Sequence, residues 1–225
     1  DYEEYPDPKK FSAALCRVRF SEGGFFGIGV DADLMNSNYQ ILSLGQGGLG
    51  MGDRDYYVDE ANAELHKGYE AMLAKLFSLS GYEDAAVRAA NAVKVEDAIA
   101  QVSWTSVQNR DYTKLYNPMS TEQIADAYNG FDFNTFFETL GIPAQDKVIV
   151  QQPSYFEGFS KIFAETELNV LQDYLAAQLI SGGASSLSDE YYSASFDFFS
   201  AQMSGVTEHA GSAPWQFLTA FLERL

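Results

Sequence analysis

The hydrophobic pattern changes period once along the chain. Up to about residue 58, apolar residues come in short runs broken by turn formers. Phe11–Phe20 alternates (Leu15, Arg17 and Arg19 against Cys16, Val18 and Phe20) and reads as a strand or short helix ending at Gly23-Gly24, after a Pro-interrupted lead-in, Asp1–Lys10. Phe25–Asp31 and Tyr39–Leu44 are apolar runs, with Asp33 and Asn36–Asn38 between them as turn chemistry. This pattern predicts a small antiparallel sheet whose second strand feeds a glycine-rich loop.

From Asp59 the period is helical. Leu65, Tyr69, Met72, Leu73 and Leu76 form an apolar stripe that Gly81 ends. A second helix runs from near Glu83 to Trp104, carrying Ala86, Val87, Ala90, Val93, Ile99 and Val102. Tyr112–Pro118 is a break, because Pro118 disfavours helix at Asn117. Ser120 and Gln123 make a capping box that opens a helix to Tyr128. Phe131–Leu140 is a short aromatic helix stopped by Gly141, and Lys147–Gln151 a strand ended at Pro153. Helices follow over Tyr155–Ala164 and Glu167–Ile180, the second closed by Gly182-Gly183. Another, capped at Ser188, carries Tyr191, Tyr192, Phe196, Phe198 and Phe199 and stops at Gly205, and Trp215–Leu225 is a last amphipathic segment. The expected fold is mainly α: a multi-helical lobe with a small antiparallel β element near the N-terminus. Residues 1–58 would hold the β element and the glycine loop and residues 59–225 the helices, together one structural unit.

The two periods meet at Gly45-Gln-Gly-Gly-Leu-Gly-Met-Gly-Asp-Arg-Asp-Tyr-Tyr57. Its glycines permit φ > 0 and close backbone approach. Asp53, Arg54 and Asp55 place a guanidinium fork between two carboxylates, suited to clamping a loop by paired hydrogen bonds, and Tyr56 adds an apolar face with a polar tip. These four are the candidate structural-junction residues. A phosphate cradle fits poorly: no Lys-Ser/Thr follows the last glycine, the G-x-G-x-x-G pattern has to be forced onto the run from Gly45, and Asp53 and Asp55 would repel the anion.

Composition narrows the function. A net charge of -18 excludes nucleic-acid binding, and no apolar run reaches the length of a membrane span. The chain opens at Asp1, as a processed or cut polypeptide would, and no leader-like segment precedes the expected fold. Its single cysteine, Cys16, forms no internal disulfide; it reads as a small buried residue, and so low a cysteine count suits a bacterial source. The two histidines, His66 and His209, are far apart, so no His-Glu-x-x-His zinc helix exists. His66 is expected on the solvent side of its helix, and His209 in a turn. No Gly-x-Ser-x-Gly elbow occurs, and nothing singles out two carboxylates as an acid–base pair. The residues therefore predict no catalytic, cofactor-binding or metal site.

A family resemblance extends this reading. Asp31-Ala-Asp33, Asn36, Tyr39-Gln-Ile41 and Gln46–Tyr57 resemble the non-catalytic part of neprilysin-type zinc metalloendopeptidases, which include endothelin-converting enzyme and bacterial oligopeptidases. The likeness continues at Val95-Glu96, Ile99-Ala100, Arg110, Tyr116-Asn117, Met119-Ser120, Phe131-Asp-Phe133 and Val148-Ile-Val150. It runs on through Pro153-Ser-Tyr-Phe156, Leu171, Tyr174-Leu175, Phe196-Asp-Phe198 and Ser204-Gly205, roughly Phe25 to Gly205 in all. The family has two mainly helical lobes around a chamber, with the zinc site in the C-terminal lobe, and the matching segments belong to the other lobe. The family's His-Glu-x-x-His, its downstream Glu ligand and its Asn-Ala-Tyr/Phe motif have no counterpart here, and both ends of the chain diverge from the family pattern.

The resemblance implies a lobe that walls the chamber and restricts substrates to peptides. Its partner would be the catalytic lobe of the same polypeptide, which would hold the zinc; the parent would be a bacterial envelope or secreted protein, with a cytoplasmic place also open. The alternative is a stand-alone binding or scaffold protein derived from that lobe. Freed of its partner, the lobe is expected to expose an apolar face around Phe196–Met203 and Trp215–Leu222.

Overall fold

The computed structural model describes residues 24–206. The expected lead-in, the strand or helix at Phe11–Phe20 with Cys16, the turn at His209 and the segment Trp215–Leu225 lie outside the described residues.

The chain enters as an antiparallel hairpin, β1 (Phe26–Asp33) and β2 (Asn36–Gln46), in register from Phe26↔Gln46 to Ala32↔Gln40 with an irregularity at Ala32/Asp33. Leu34-Met35 makes the turn, and Asn36–Asn38, expected as turn, are strand. The Asp33 carboxylate accepts the Met35 N–H (2.9 Å), the Tyr116 hydroxyl (2.8 Å) and Lys147 Nζ (2.6 Å), so the tip is pinned by one buried acid. Those contacts, with Lys147 foremost, hold its carboxyl at about 2.

Two more strands enlarge the sheet beyond the expected hairpin. β3 (Pro118–Met119) pairs antiparallel with β4 (Val148–Val150), and β4 pairs parallel with β2 (Ser43↔Ile149, Leu44↔Val150), giving the order β1-β2-β4-β3. All three β4 residues are buried, as a continuous apolar run in a parallel pairing requires.

The rest is helical, in agreement with the mainly α expectation. α1 (Asp55–Val58) follows the glycine loop, then α2 (Ala63–Leu79) and α3 (Ala85–Val102). α3 is central, touching α1, α2, α6 (Pro153–Glu165) and α7 (Leu168–Gly183). Its buried stripe is Ala89, Ala92, Val93, Val95, Glu96, Ile99 and Ala100, whereas Val87, read as part of the stripe, is 60% exposed. The capping box forms at Ser120 and Gln123 on α4 (Thr121–Ala127), and α5 (Phe133–Thr139) ends before Gly141. Pro153 starts α6 as well as ending the strand, at the first-turn position where its missing N–H costs nothing. α7 runs through Gly182 and Gly183, where a stop was expected, and α8 (Asp189–Phe196) passes into a π-helical turn, Asp197–Gln202. Among the described residues no helix is long and apolar enough to cross a membrane.

The hairpin is joined to the helices by aromatic packing. Phe26, the first residue of β1, has the rings of Phe131, Phe133, Phe136, Phe156 and Phe159 around it at 5.1–5.6 Å. Each such pair adds about 0.5–1.5 kcal/mol beyond area burial. Phe25 stacks on Tyr174 at 4.6 Å. Of the apolar face expected at Phe196–Met203, Phe198 is buried, 5.5 Å from the Tyr69 ring, because the π-helical turn folds it back on α2, and Phe196, Phe199 and Met203 are half-buried. Exposed apolar side chains include four on the hairpin (Val30, Leu34, Met35, Tyr39), and Val87, Val107, Tyr112, Leu179, Leu187 and Val206 elsewhere.

Candidate functional site: the glycine-loop junction

Scattered residues converge on the loop that leaves β2. Gln46 is fixed first: its N–H donates to Gln152 Oε1 (2.9 Å), and its side chain exchanges two bonds with the Trp104 backbone (2.8 and 3.0 Å). The Tyr155 hydroxyl lies between the carbonyls of Phe25 and Gly47, 3.0 Å from the latter, and the Tyr174 hydroxyl donates to the Gly48 carbonyl at 2.9 Å. Gly48 (φ +85°) and Gly52 (φ +86°) supply the left-handed turns.

The deepest contact is Glu96, fully buried in α3. Its Oε2 accepts the Gly50 N–H (2.9 Å) and the Tyr57 hydroxyl, and its Oε1 accepts the Tyr69 hydroxyl (3.0 Å) and Gln178 Nε2 (2.8 Å). The Tyr57 oxygen in turn accepts the Met51 N–H at 2.9 Å. Burial pushes the Glu96 carboxyl up to about 7, against the pull of its hydrogen bonds from Tyr57, Gly50 and Tyr69. Burial likewise raises the hydroxyls of Tyr57, Tyr69, Tyr155 and Tyr174 above the usual phenol range.

The four junction residues read from the sequence sit at the outer end of this loop. Arg54 Nε donates to the Ala100 carbonyl (3.2 Å), and its guanidinium lies 3.8 Å from the half-exposed Asp55. Of the expected clamp by carboxylates and carbonyls, one carbonyl bond and one loose ion pair form. The Asp53 carboxylate accepts the Asp55 N–H (3.0 Å), closing the loop's own turn, and Tyr56 packs half-buried against the core. Tyr57, Tyr69, Glu96, Gln152, Tyr155, Tyr174 and Gln178 were not singled out. One signal was present for Glu96, a carboxylate on the same helical face as Val93, Ile99 and Ala100.

A second cluster lies beside the first. His66 Nε2 is 2.7 Å from Asp97 Oδ1, in a cleft of about 480 Å³ that Tyr56, Lys67 and Gln101 also line. His66 therefore pairs with a carboxylate and does not simply face solvent. Among the described residues, no serine or cysteine lines this cleft to act as nucleophile. A zinc site needs three or four donors, and among the described residues no group of three or more His, Cys, Asp or Glu could hold a metal, so they do not fit zinc.

Comparison with known proteins supplies the family. The N-terminal model of peptidase family M13 matches residues 3–225. Endothelin-converting enzyme 1 of Cavia porcellus is 27% identical over 192 residues, covering 82% of this chain and 26% of that protein. Neutral endopeptidase of Lactobacillus helveticus is 24% identical over 181 residues, covering 80% and 28%. Among solved structures, Mycobacterium tuberculosis zinc metalloprotease Zmp1 in its open state superposes with a TM-score of 0.89 at 25% identity, over 99% of this chain and 35% of that one. Its inhibitor complex gives 0.88 at 27% identity, over 94% and 33%. The chain spans only 26–28% of the length of these two curated relatives. It belongs to peptidase family M13, the family of neprilysin and endothelin-converting enzyme, and corresponds to that family's N-terminal region.

Proposed function

We propose that this chain is the non-catalytic, substrate-restricting lobe of a neprilysin-type zinc metalloendopeptidase. The observation that carries the reading is the N-terminal family match along almost the whole chain, which covers about a quarter of a relative's length. The mechanism is exclusion. A helical wall keeps folded proteins out of a reaction chamber that a short flexible peptide enters, and the catalytic lobe of the same polypeptide supplies the zinc. A wall of this kind must not yield, and the fastening of the glycine loop by Glu96, Gln152, Tyr155 and Tyr174 suits that demand. Asp53, Arg54, Asp55 and Tyr56 serve as the outer end of the same junction. Residues 1–58 and 59–225 act as one unit, a reading supported by the pairing of β2 with β4.

The test compares the whole product of the parent reading frame with residues 1–225 alone. The whole protein is expected to hold one zinc and to cleave a short peptide, sensitive to chelator, while leaving the same sequence intact inside a folded host. The chain alone is expected to bind no stoichiometric zinc and to cleave nothing. Chelator-sensitive cleavage by the chain alone, or a parent frame without a zinc helix, refutes the proposal.

A further inference from the structure

Buried carboxylates ordinarily face a cation. Glu96 faces four neutral donors: the Gly50 N–H and Tyr57 hydroxyl on Oε2, and the Tyr69 hydroxyl and Gln178 Nε2 on Oε1. The titratable groups packed around it are Tyr57 on α1, Tyr69 on α2, Tyr174 on α7 and Asp97 beside it on α3. The phenols are held neutral by burial, and Asp97 is bonded to the His66 imidazole of α2. Among the described residues, every ionisable neighbour that acts directly on Glu96 is therefore neutral or negative.

The two protonation states have different costs. Ionised, Glu96 keeps all four donors but holds an uncompensated charge out of water, which is expensive. Protonated, it loses the charge but needs one neighbour to accept. Tyr57 is poorly placed to do so, because its oxygen already takes the Met51 N–H. Gln178 is well placed, since turning its amide over presents a carbonyl oxygen to Oε1. The two bonds that hold Gly50 and Tyr57 on Oε2 then survive. We propose that Glu96 and Gln178 form a proton-operated fastener for the glycine loop. Glu96 takes a proton on Oε1 at mildly acidic pH while the Gln178 amide turns to accept from it, and the loop is held more tightly in that form than above neutral pH.

The sign follows from linkage. A carboxyl pushed up to about 7 binds its proton better folded than exposed, where its ordinary value is 4.5. The stabilisation is full below that lower value and is lost as pH rises through about 7. Any opening that exposes Glu96 becomes easier over the same window, by up to roughly two orders of magnitude in population. This inference does not depend on the peptidase reading.

The test is made on the full chain. Carbon-13 NMR follows the Glu96 carboxyl through its titration, and amide exchange at Gly50 and Met51 is compared at pH 5.5 and 8.5 after correction for intrinsic rates. The expected midpoint is near 7, with protection falling at least about tenfold at the higher pH. Glu96→Gln abolishes that fall, and Tyr69→Phe, which removes one donor from the carboxylate, moves the midpoint upward. A midpoint below about 5, loop protection that does not follow the titration, or a fall that persists in Glu96→Gln overturns the proposal. If Glu96→Gln does not fold, the wild-type titration and Tyr69→Phe decide between the same outcomes.

Discussion

Gly50→Ala isolates the packing of the junction from its backbone geometry. Gly50 is not among the positive-φ glycines, so alanine fits the backbone and even gains about 0.4–1 kcal/mol by stiffening the unfolded chain. The obstacle is steric. A Cβ at this position overlaps the Tyr69 hydroxyl, lies 2.8 Å from its Cζ and sits 3.3 Å from Glu96 Oε2. Tyr69 is buried, with the Phe198 ring packed at a tilt 5.5 Å away, so its ring cannot swing aside. Displacing it breaks the 3.0 Å bond to Glu96 and strands a buried hydroxyl, at about 1–3 kcal/mol, and overpacking strain adds about 1–3 more. Less the backbone gain, the net cost is about 1–5.5 kcal/mol. Urea unfolding followed by circular dichroism measures it. Gly52→Ala is the control: its left-handed φ of +86° is strained but a Cβ meets nothing within 4 Å, so it costs about 1–2 kcal/mol. Repeating Gly50→Ala in a Tyr69→Phe background removes the hydroxyl from the collision and should recover at least about 1 kcal/mol of coupling. A Gly50→Ala cost under 1 kcal/mol, or additivity with Tyr69→Phe, refutes the packing argument.

Other substitutions probe the remaining ties. Phe26→Ala empties the centre of a ring cluster and should cost about 3–5 kcal/mol by the same unfolding assay. Arg54→Ala removes one carbonyl bond and a loose ion pair, so about 0.5–1.5 kcal/mol is expected; a larger loss would point to the fuller clamp of carboxylates and carbonyls. Asp33, held at about 2, adds stability that is complete above the ordinary aspartate value and lost as pH falls toward 2. Asp33→Asn should therefore flatten the acid limb of a stability–pH curve while changing its slope little above pH 5.

What the sequence disclosed depended on how local each feature is. The helix of Tyr69, Met72, Leu73 and Leu76 and the box at Ser120 are written in spacings of three and four residues, and both formed as read. The face of α3 was misjudged at Val87 because small alanines mark a buried stripe weakly, and which alanines are covered depends on α7. The Arg54 clamp was inferred from adjacency in sequence, but the guanidinium found a carbonyl 46 positions away. Glu96, Tyr155 and Tyr174 belong to the segments that carry the family resemblance, yet nothing local connects them to Gly47, Gly48 or Gly50. Their shared role exists only after the chain has closed on itself.

That closure sets an order of events during synthesis. Gln46 waits for Gln152, 106 residues later, and Gly48 waits for Tyr174, 126 residues later. At roughly 5–20 residues per second, the loop leaves the ribosome roughly 6–25 s before its last anchor does. For most of that interval Phe25 and Phe26 lack most of the rings that will enclose them, and β2 lacks β4. A nascent chain paused between Glu96 and Gln152 would present a glycine-rich segment flanked by bare aromatics, the state most in need of a chaperone's hold.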